Sequence, residues 1–252
     1  MSGKPEIRIA KAKDEWALEA AALVQELGKQ AIGARGRFSL ALSGGKTPEH
    51  LYRTMAAPPY ADRFDWARTI FFFSDERCVS PDHPESNFGL ASRTLFAPLT
   101  ISPDCIYRMR GEVANPETAA LDYERQLRTI DRPQQNDSPH LDLVLLGLGQ
   151  DGHTASLFPG TNAVGERQRL VAVGQSPTGV ATRLTLTLGA INRATVVLFL
   201  VTGADKAEIV KRVLEPKTDA DRQLPAALVK LQSGRLIWLL DGPAAALLTV
   251  NH

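Results

Sequence analysis

An α/β domain built on a mostly parallel sheet is the fold class this sequence predicts, and three observations predict it. Two apolar runs, Leu141 to Leu146 with Asp142 as its polar interruption and Thr195 to Val201, stop at Gly147 and at Thr202-Gly203, as strands buried in a parallel sheet do. Strand-like and helix-like periods alternate along the chain. At 252 residues, 44% of them hydrophobic, the chain can bury a sizeable core.

Ile7 to Ala10 read as a first strand. A helix starting at Asp14 follows, with Trp16, Ala20, Leu23, Val24, Leu27 and Ala31 on one face and Gly33 and Gly36 to end it. Phe38, Leu40 and Leu42 form the next strand, which runs into Ser43-Gly44-Gly45-Lys46-Thr47-Pro48. Thr47 is a good N-cap and Pro48 a good first helical residue, so a helix carrying Leu51, Tyr52 and Met55 is predicted there. Thr69 to Phe73 is a third apolar strand, followed by the charged exit Ser74-Asp75-Glu76-Arg77. Glu85, Ser86 and Asn87 precede Phe88, Leu90, Ala91 and Leu95, the pattern of a capped helix, and Pro116 to Ile130 is amphipathic.

Asp131 to His140, rich in Pro, Gln and Asn, reads as a surface connection, because the alternation resumes unchanged after it. One domain over residues 1–252 is therefore expected. Leu170 to Val173 is a strand, and Arg183 to Leu188 alternates like a half-buried one. Ala204 to Leu214 is a helix with Lys206 in its first turn, where a cation opposes the dipole unless it answers an anion. Leu236 to Leu240 is the last strand, and Asp241-Gly242-Pro243 turns into an alanine-rich terminal helix.

The charge balance, 29 Lys plus Arg against 28 Asp plus Glu, gives no global field to recruit nucleic acid or an acidic membrane surface. No apolar run reaches the ~20 residues of a membrane helix, and no signal-like segment opens the chain. Cys78 and Cys105 are too few for a disulfide scaffold and read as reduced thiols, so a cytoplasmic location is expected. Cys78 stands beside Arg77, but a single thiol with no assigned base is a weak nucleophile candidate.

The chemistry concentrates in the loop after Leu146, which holds three glycines, Asp151 and His153. Gly147, Gly149 and Gly152 satisfy the spacing of a dinucleotide fingerprint, yet Pro159-Gly160 follow too soon for the long helix that fingerprint opens, and Asp151 would repel a pyrophosphate. One Asp and one His without a third ligand make an incomplete metal site. A triad of Ser43, His153 and Asp151 lacks the first glycine of the nucleophile elbow, since Ala41 stands there. A neutral His153 can accept a proton from water, with Asp151 to fix its tautomer, stabilise the imidazolium or contact substrate directly. The Ser43 to Thr47 turn, a strand end followed by glycines and a helix N-terminus, offers free N–H groups and hydroxyls to a phosphate.

The run Gly147-x-Gly149-x-Asp151-Gly152-His153-Thr154-Ala155-Ser156-Leu157-Phe158-Pro159, with Leu42-Ser43-Gly44-Gly45 and Ser74-Asp75-Glu76-Arg77 before it and Arg183-Leu184-Thr185-Leu186-Thr187 after it, resembles the 6-phosphogluconolactonase family over about Phe38 to Leu214. The resemblance implies a doubly wound, Rossmann-like fold with helices on both faces of the sheet. It also implies hydrolysis of 6-phosphoglucono-δ-lactone to 6-phosphogluconate without metal or cofactor. By matching motif, it lays the substrate phosphate against Ser43, Gly44, Gly45, Thr47, Arg183 and Lys206, and brings Arg77 and Asn87 to the sugar ring or lactone end. His153 would then be general base on a water, Asp151 its orienting partner, and Arg77 or backbone N–H groups the oxyanion donors. The related glucosamine-6-phosphate deaminases also have Asp-Gly-His but place a glutamate five residues after the histidine, where this chain has Phe158. A non-catalytic sugar-phosphate sensor is the rival from another class; no appended helix-turn-helix or basic patch supports it. The expected partner is a small sugar-phosphate lactone, and the expected assembly a monomer or weak homo-oligomer.

Overall fold

A computed structural model describes residues 4–10, 15–129 and 141–249. Six strands form one parallel sheet in the order β1 (Glu6–Ile9), β9 (Arg235–Leu240), β8 (Val196–Val201), β5 (Leu143–Leu146), β2 (Phe38–Leu42) and β3 (Thr69–Phe73). β2, β5 and β8 are buried at every residue, which is why each reads as a continuous apolar run rather than an alternating one. The chain winds outward from β2 to β3 on one side and from β5 through β8 to β9 on the other. The direction of winding therefore reverses between β2 and β5. Ligands bind at the carboxyl ends of strands at such a switch point.

The polar interruption of the β5 run has a structural cause. Asp142 Oδ2 accepts from Ser39 N at 2.7 Å and Ser39 Oγ at 2.9 Å, and its Oδ1 pairs with Arg35 at 2.5 Å, tying the start of β5 to β2 and to helix α1 (Trp16–Arg35). Gly36, at φ 75°, ends α1, whereas Gly33 lies inside it. The expected start of this helix at Asp14 and the Asp131 to His140 connection fall outside the described residues.

Helix α2 (Lys46–Met55) begins two residues earlier than predicted. Gly45, not Thr47, is its N-cap, and the Thr47 hydroxyl instead shares a hydrogen bond with that of Thr202 at 2.8 Å, joining the first turn of α2 to the end of β8. Ser86 caps α3 (Asn87–Ala91) as expected, by accepting from Gly89 N. Helix α4 (Pro116–Thr129) buries Ala119, Ala120, Tyr123 and Leu127. The turn-length helices α5 (Asn162–Gly165) and α6 (Leu188–Ile191) follow, and α7 (Ala207–Leu214) is entered through a 3-10 turn, Ala204–Lys206. Two more short helices, α8 (Asp219–Arg222) and α9 (Gly242–Ala245), flank β9 in the chain.

The segment Arg183 to Leu188 departs from its reading as a half-buried strand. It contributes β7 (Thr182–Leu186) to a separate antiparallel sheet in the order β4 (Asp75–Arg77), β7, β6 (Val171–Gln175). Arg183 to Leu186 are all buried, because α4 covers this small sheet. A single hydrophobic cluster runs from Ala10 to Ala245. No described helix is long and apolar enough to cross a membrane.

Candidate active site

The carboxyl ends of β2 and β5 border a cavity of about 240 Å³. Ser43, Gly44 and Gly45 line it from the β2–α2 turn, and Gly147, Leu148, Gly149, His153 and Ala155 from the loop after β5. Asp75, Arg77, Asn87 and Lys206 complete the lining. The structure thus brings eight of the ten sequence-predicted site residues to one place: seven line the cavity and Asp151 stands behind His153. Thr47 and Arg183 are not among the lining residues.

The His153 loop is built around its glycines. His153 Nδ1 lies 2.5 Å from Asp151 Oδ1, and Asp151 Oδ1 also accepts from His153 N at 3.1 Å. A carboxylate accepts only from the protonated ring nitrogen, so this pairing puts the neutral imidazole's proton on Nδ1 and leaves Nε2 as a base. Gly149 N donates to His153 O at 2.9 Å, and any Cβ on Gly149 would strike the His153 ring. Gly152 turns the chain at φ 84°, with Leu224 packed where a Cβ would point. Ala155 is held at φ 48°, a strained backbone for alanine at the cavity wall. No long helix follows this loop; an isolated bridge between Thr154 and Leu157 and the four-residue α5 do, so the dinucleotide fingerprint is matched in spacing alone.

On the opposite wall, the N-terminal N–H groups of α2 meet the cavity at Gly45, whose φ of 106° suits glycine. Gly44 approaches the Asn87 amide so closely that a Cβ could not be added. Ser43 Oγ is buried without a hydrogen-bond partner among the described residues, while the Ser43 backbone is pinned at both N and O by the Tyr52 hydroxyl, at 2.9 and 2.7 Å. Lys206 sits at the end of the 3-10 turn, 4.0 Å from Asp205, and Asp205 in turn accepts from Gln150 of the histidine loop at 2.9 Å.

β4 carries groups that the sequence reading underused. Asp75 lines the cavity, accepting from Ser156 Oγ at 2.6 Å and from Asn87 Nδ2 at 3.2 Å, so one buried carboxylate ties the histidine loop to α3. Glu76 points the other way and accepts from Arg77 N, Asn87 N and Phe88 N at 2.7 Å each and from Ser86 Oγ at 3.1 Å. Burial raises its pKa against those bonds. The clue was available in the strand-like alternation of Asp75, Glu76 and Arg77, which sends alternate side chains to opposite faces. Arg77 Nη1 donates to Glu85 O at 2.6 Å, and its Nε has no partner among the described residues. Arg183 is the register partner of Arg77 across β4 and β7, and its Nε donates to Val180 O at 2.6 Å. Burial, then the charge of Arg77, lowers the pKa of Arg183. Cys78 is no activated thiol: burial, reinforced by Glu76, pushes it up to about 11.

The family model described as glucosamine-6-phosphate isomerases/6-phosphogluconolactonase matches residues 11–238. The chain belongs to this family. Among its relatives, the 6-phosphogluconolactonase of Homo sapiens is 43% identical over 237 residues, 91% of this chain and 90% of that one. The protein of the same name from Nostoc sp. is 41% identical over 220 residues, 87% and 88% of the two chains. A solved structure of 6-phosphogluconolactonase from Trypanosoma brucei superposes with a TM-score of 0.85 at 27% identity, covering 98% of this chain and all of the other at 100%. The family joins two kinds of enzyme, lactone hydrolases and deaminating isomerases. Phe158, the residue by which the sequence separated them, is buried with its ring centroid 4.4 Å from that of His153.

Proposed function

We propose that the protein hydrolyses 6-phosphoglucono-δ-lactone to 6-phosphogluconate, with His153 as general base on the attacking water. The observation that carries this reading is the environment of His153: a carboxylate on Nδ1, an apolar ring at Phe158 and an Nε2 with no hydrogen bond to the described residues. A deaminating isomerase would want a second carboxylate where Phe158 stands.

Nε2 takes a proton from water as the water oxygen bonds to the lactone carbonyl carbon, and Asp151 stabilises the imidazolium that results. The carbonyl oxygen becomes an oxyanion, which the guanidinium of Arg77 or backbone N–H groups of the glycine loops receive. Collapse of the tetrahedral intermediate breaks the bond to the ring oxygen, which recovers the proton from His153. No covalent enzyme intermediate forms. The phosphate lies at Ser43, Gly44 and Gly45, where the α2 dipole, the free Ser43 hydroxyl and Lys206 meet, with Thr47 and Arg183 behind them. Asn87 and Asp75 face the sugar.

Freshly prepared 6-phosphogluconolactone in a coupled assay, run beside an assay for ammonia released from glucosamine 6-phosphate, tests the reading. Hydrolysis without ammonia release is expected. Ammonia release would overturn it in favour of the isomerase, and tight sugar-phosphate binding with neither activity would favour a sensor.

A further inference from the structure

We propose that Glu76 is a positioning residue for the ligand: from outside the cavity it sets the Asn87 amide where a sugar hydroxyl meets it. The inference rests on the reading of the cavity as a sugar-phosphate site and goes beyond it by naming the group that orders the sugar side.

Glu76 is 2% exposed and is not among the lining residues. Its Oε1 accepts from Arg77 N and Asn87 N at 2.7 Å each, and its Oε2 from Phe88 N at 2.7 Å and Ser86 Oγ at 3.1 Å. A carboxylate has about four lone-pair directions, so these four donors saturate it. Holding α3 does not require such an arrangement, because Ser86 Oγ already caps that helix by accepting from Gly89 N at 3.0 Å. What the carboxylate adds is a fixed backbone at Asn87, joined through one shared oxygen to the backbone of Arg77.

The consequence lies in the Asn87 side chain, which lines the cavity. Nδ2 donates to Asp75 O at 2.9 Å and to Asp75 Oδ1 at 3.2 Å, and two acceptors there identify the nitrogen end of the amide. Oδ1 lies against Gly44, where an added Cβ would strike it, and accepts no hydrogen bond from the described residues. A sugar hydroxyl can donate to this oxygen, whereas the oxygens of a phosphate are acceptors themselves. With the backbone of Asn87 held by Glu76, the acceptor is ordered before the ligand arrives and binding does not have to order it. Glu76→Gln keeps the size of the side chain but leaves one acceptor oxygen, and turns an amide NH₂ toward N–H groups, so Asn87 loses its hold.

Calorimetry on the full-length protein with 6-phosphogluconate and with inorganic phosphate tests this. Glu76→Gln and Asn87→Ala should each weaken 6-phosphogluconate roughly tenfold, the size of one lost hydrogen bond, and leave inorganic phosphate within about twofold. The double variant should bind 6-phosphogluconate within about twofold of Asn87→Ala, because Glu76 acts through Asn87. Should Glu76→Gln not fold, Glu76→Asp, which keeps the carboxylate but shortens its reach, replaces it with the same expectations. An unchanged affinity for 6-phosphogluconate in the Glu76 variant, an equal loss for inorganic phosphate, or losses that add in the double variant each overturn the inference. An unaltered protein that fails to bind 6-phosphogluconate overturns the reading of the cavity, and the inference with it.

Discussion

His153 is held on three sides, by Asp151 at Nδ1, by the Phe158 ring and by the backbone of Gly149, and each contact has a consequence for chemistry. His153→Ala should lower turnover of the lactone by ~10²–10⁴-fold with little change in KM, the range for loss of a general base; a variant as active as the parent would remove His153 from the mechanism. Lys206→Ala and Arg183→Ala should instead raise KM by roughly tenfold at nearly constant kcat, because a phosphate distant from the carbonyl is bound equally in ground and transition states. An unchanged KM in either variant would take that residue out of the phosphate site. Cys78 offers a prediction of the opposite kind. With its thiol pushed up to about 11, alkylation by iodoacetamide in a Cys105→Ser background should be slow at neutral pH and should climb without a plateau until the pH nears that value. Fast labelling at neutral pH would contradict the burial argument. At this scale the cavity-lining histidine was legible in the sequence because a histidine and an acid beside three glycines serve little packing purpose. The role of Asp75 was not, since its partners Asn87 and Ser156 lie 12 and 81 positions away in the chain.

The elements were legible wherever their hydrophobic period was long. β2, β3, β5, β8 and β9 and helices α1, α2 and α4 lie within a residue or two of their predicted positions. The misjudged details depend on neighbours. Thr47 looked like an N-cap because its residue type suits one, but the chain turns into α2 at Gly45, freeing the Thr47 hydroxyl for Thr202. β7 looked half-buried because period-2 alternation usually means one wet face; α4 covers the small sheet and removes that face. Asp142 shows the reverse, a polar residue in an apolar run that binds three elements together. Asp142→Ala leaves Arg35 and the Ser39 N–H without their acceptor and should cost about 2–4 kcal/mol of stability. Urea unfolding followed by circular dichroism measures it, and a loss below about 0.5 kcal/mol would show the site to be solvated.

Across the whole molecule the carboxylates set the response to acid. Glu112 is held down to about 2 by Arg108, Asp221 to about 2 by Arg212 and Thr218, and Glu215 to about 2 by Thr249 and then Lys211. A carboxyl depressed in the folded state contributes stability above its unfolded value of ~4, and that contribution is lost as pH falls through the folded value. Glu76 has the opposite sign. Burial raises its folded pKa, so its contribution is present at low pH and is lost as pH rises through the folded value. The depressed groups outnumber it, so the urea midpoint should fall steadily from about pH 5 to about pH 2. A midpoint that rose over that interval would mean that Glu76 dominates.

The sequence by itself determined the layered α/β architecture, the glycine turns at the ends of β2 and β5, and the pairing of Asp151 with His153, because each is written in residues close together in the chain. Only the tertiary structure decided that those two turns face each other, since that follows from the reversal of winding between β2 and β5. It also decided that β4 turns Asp75 into the cavity and Glu76 away from it, that Thr47 and Arg183 stand outside the lining, and that the buried Trp238 Nε1 has no acceptor among the described residues. The physical reason is common to all of these. Periodicity and turn chemistry act over a few residues, whereas burial and hydrogen-bond satisfaction depend on which distant segments the sheet order brings together.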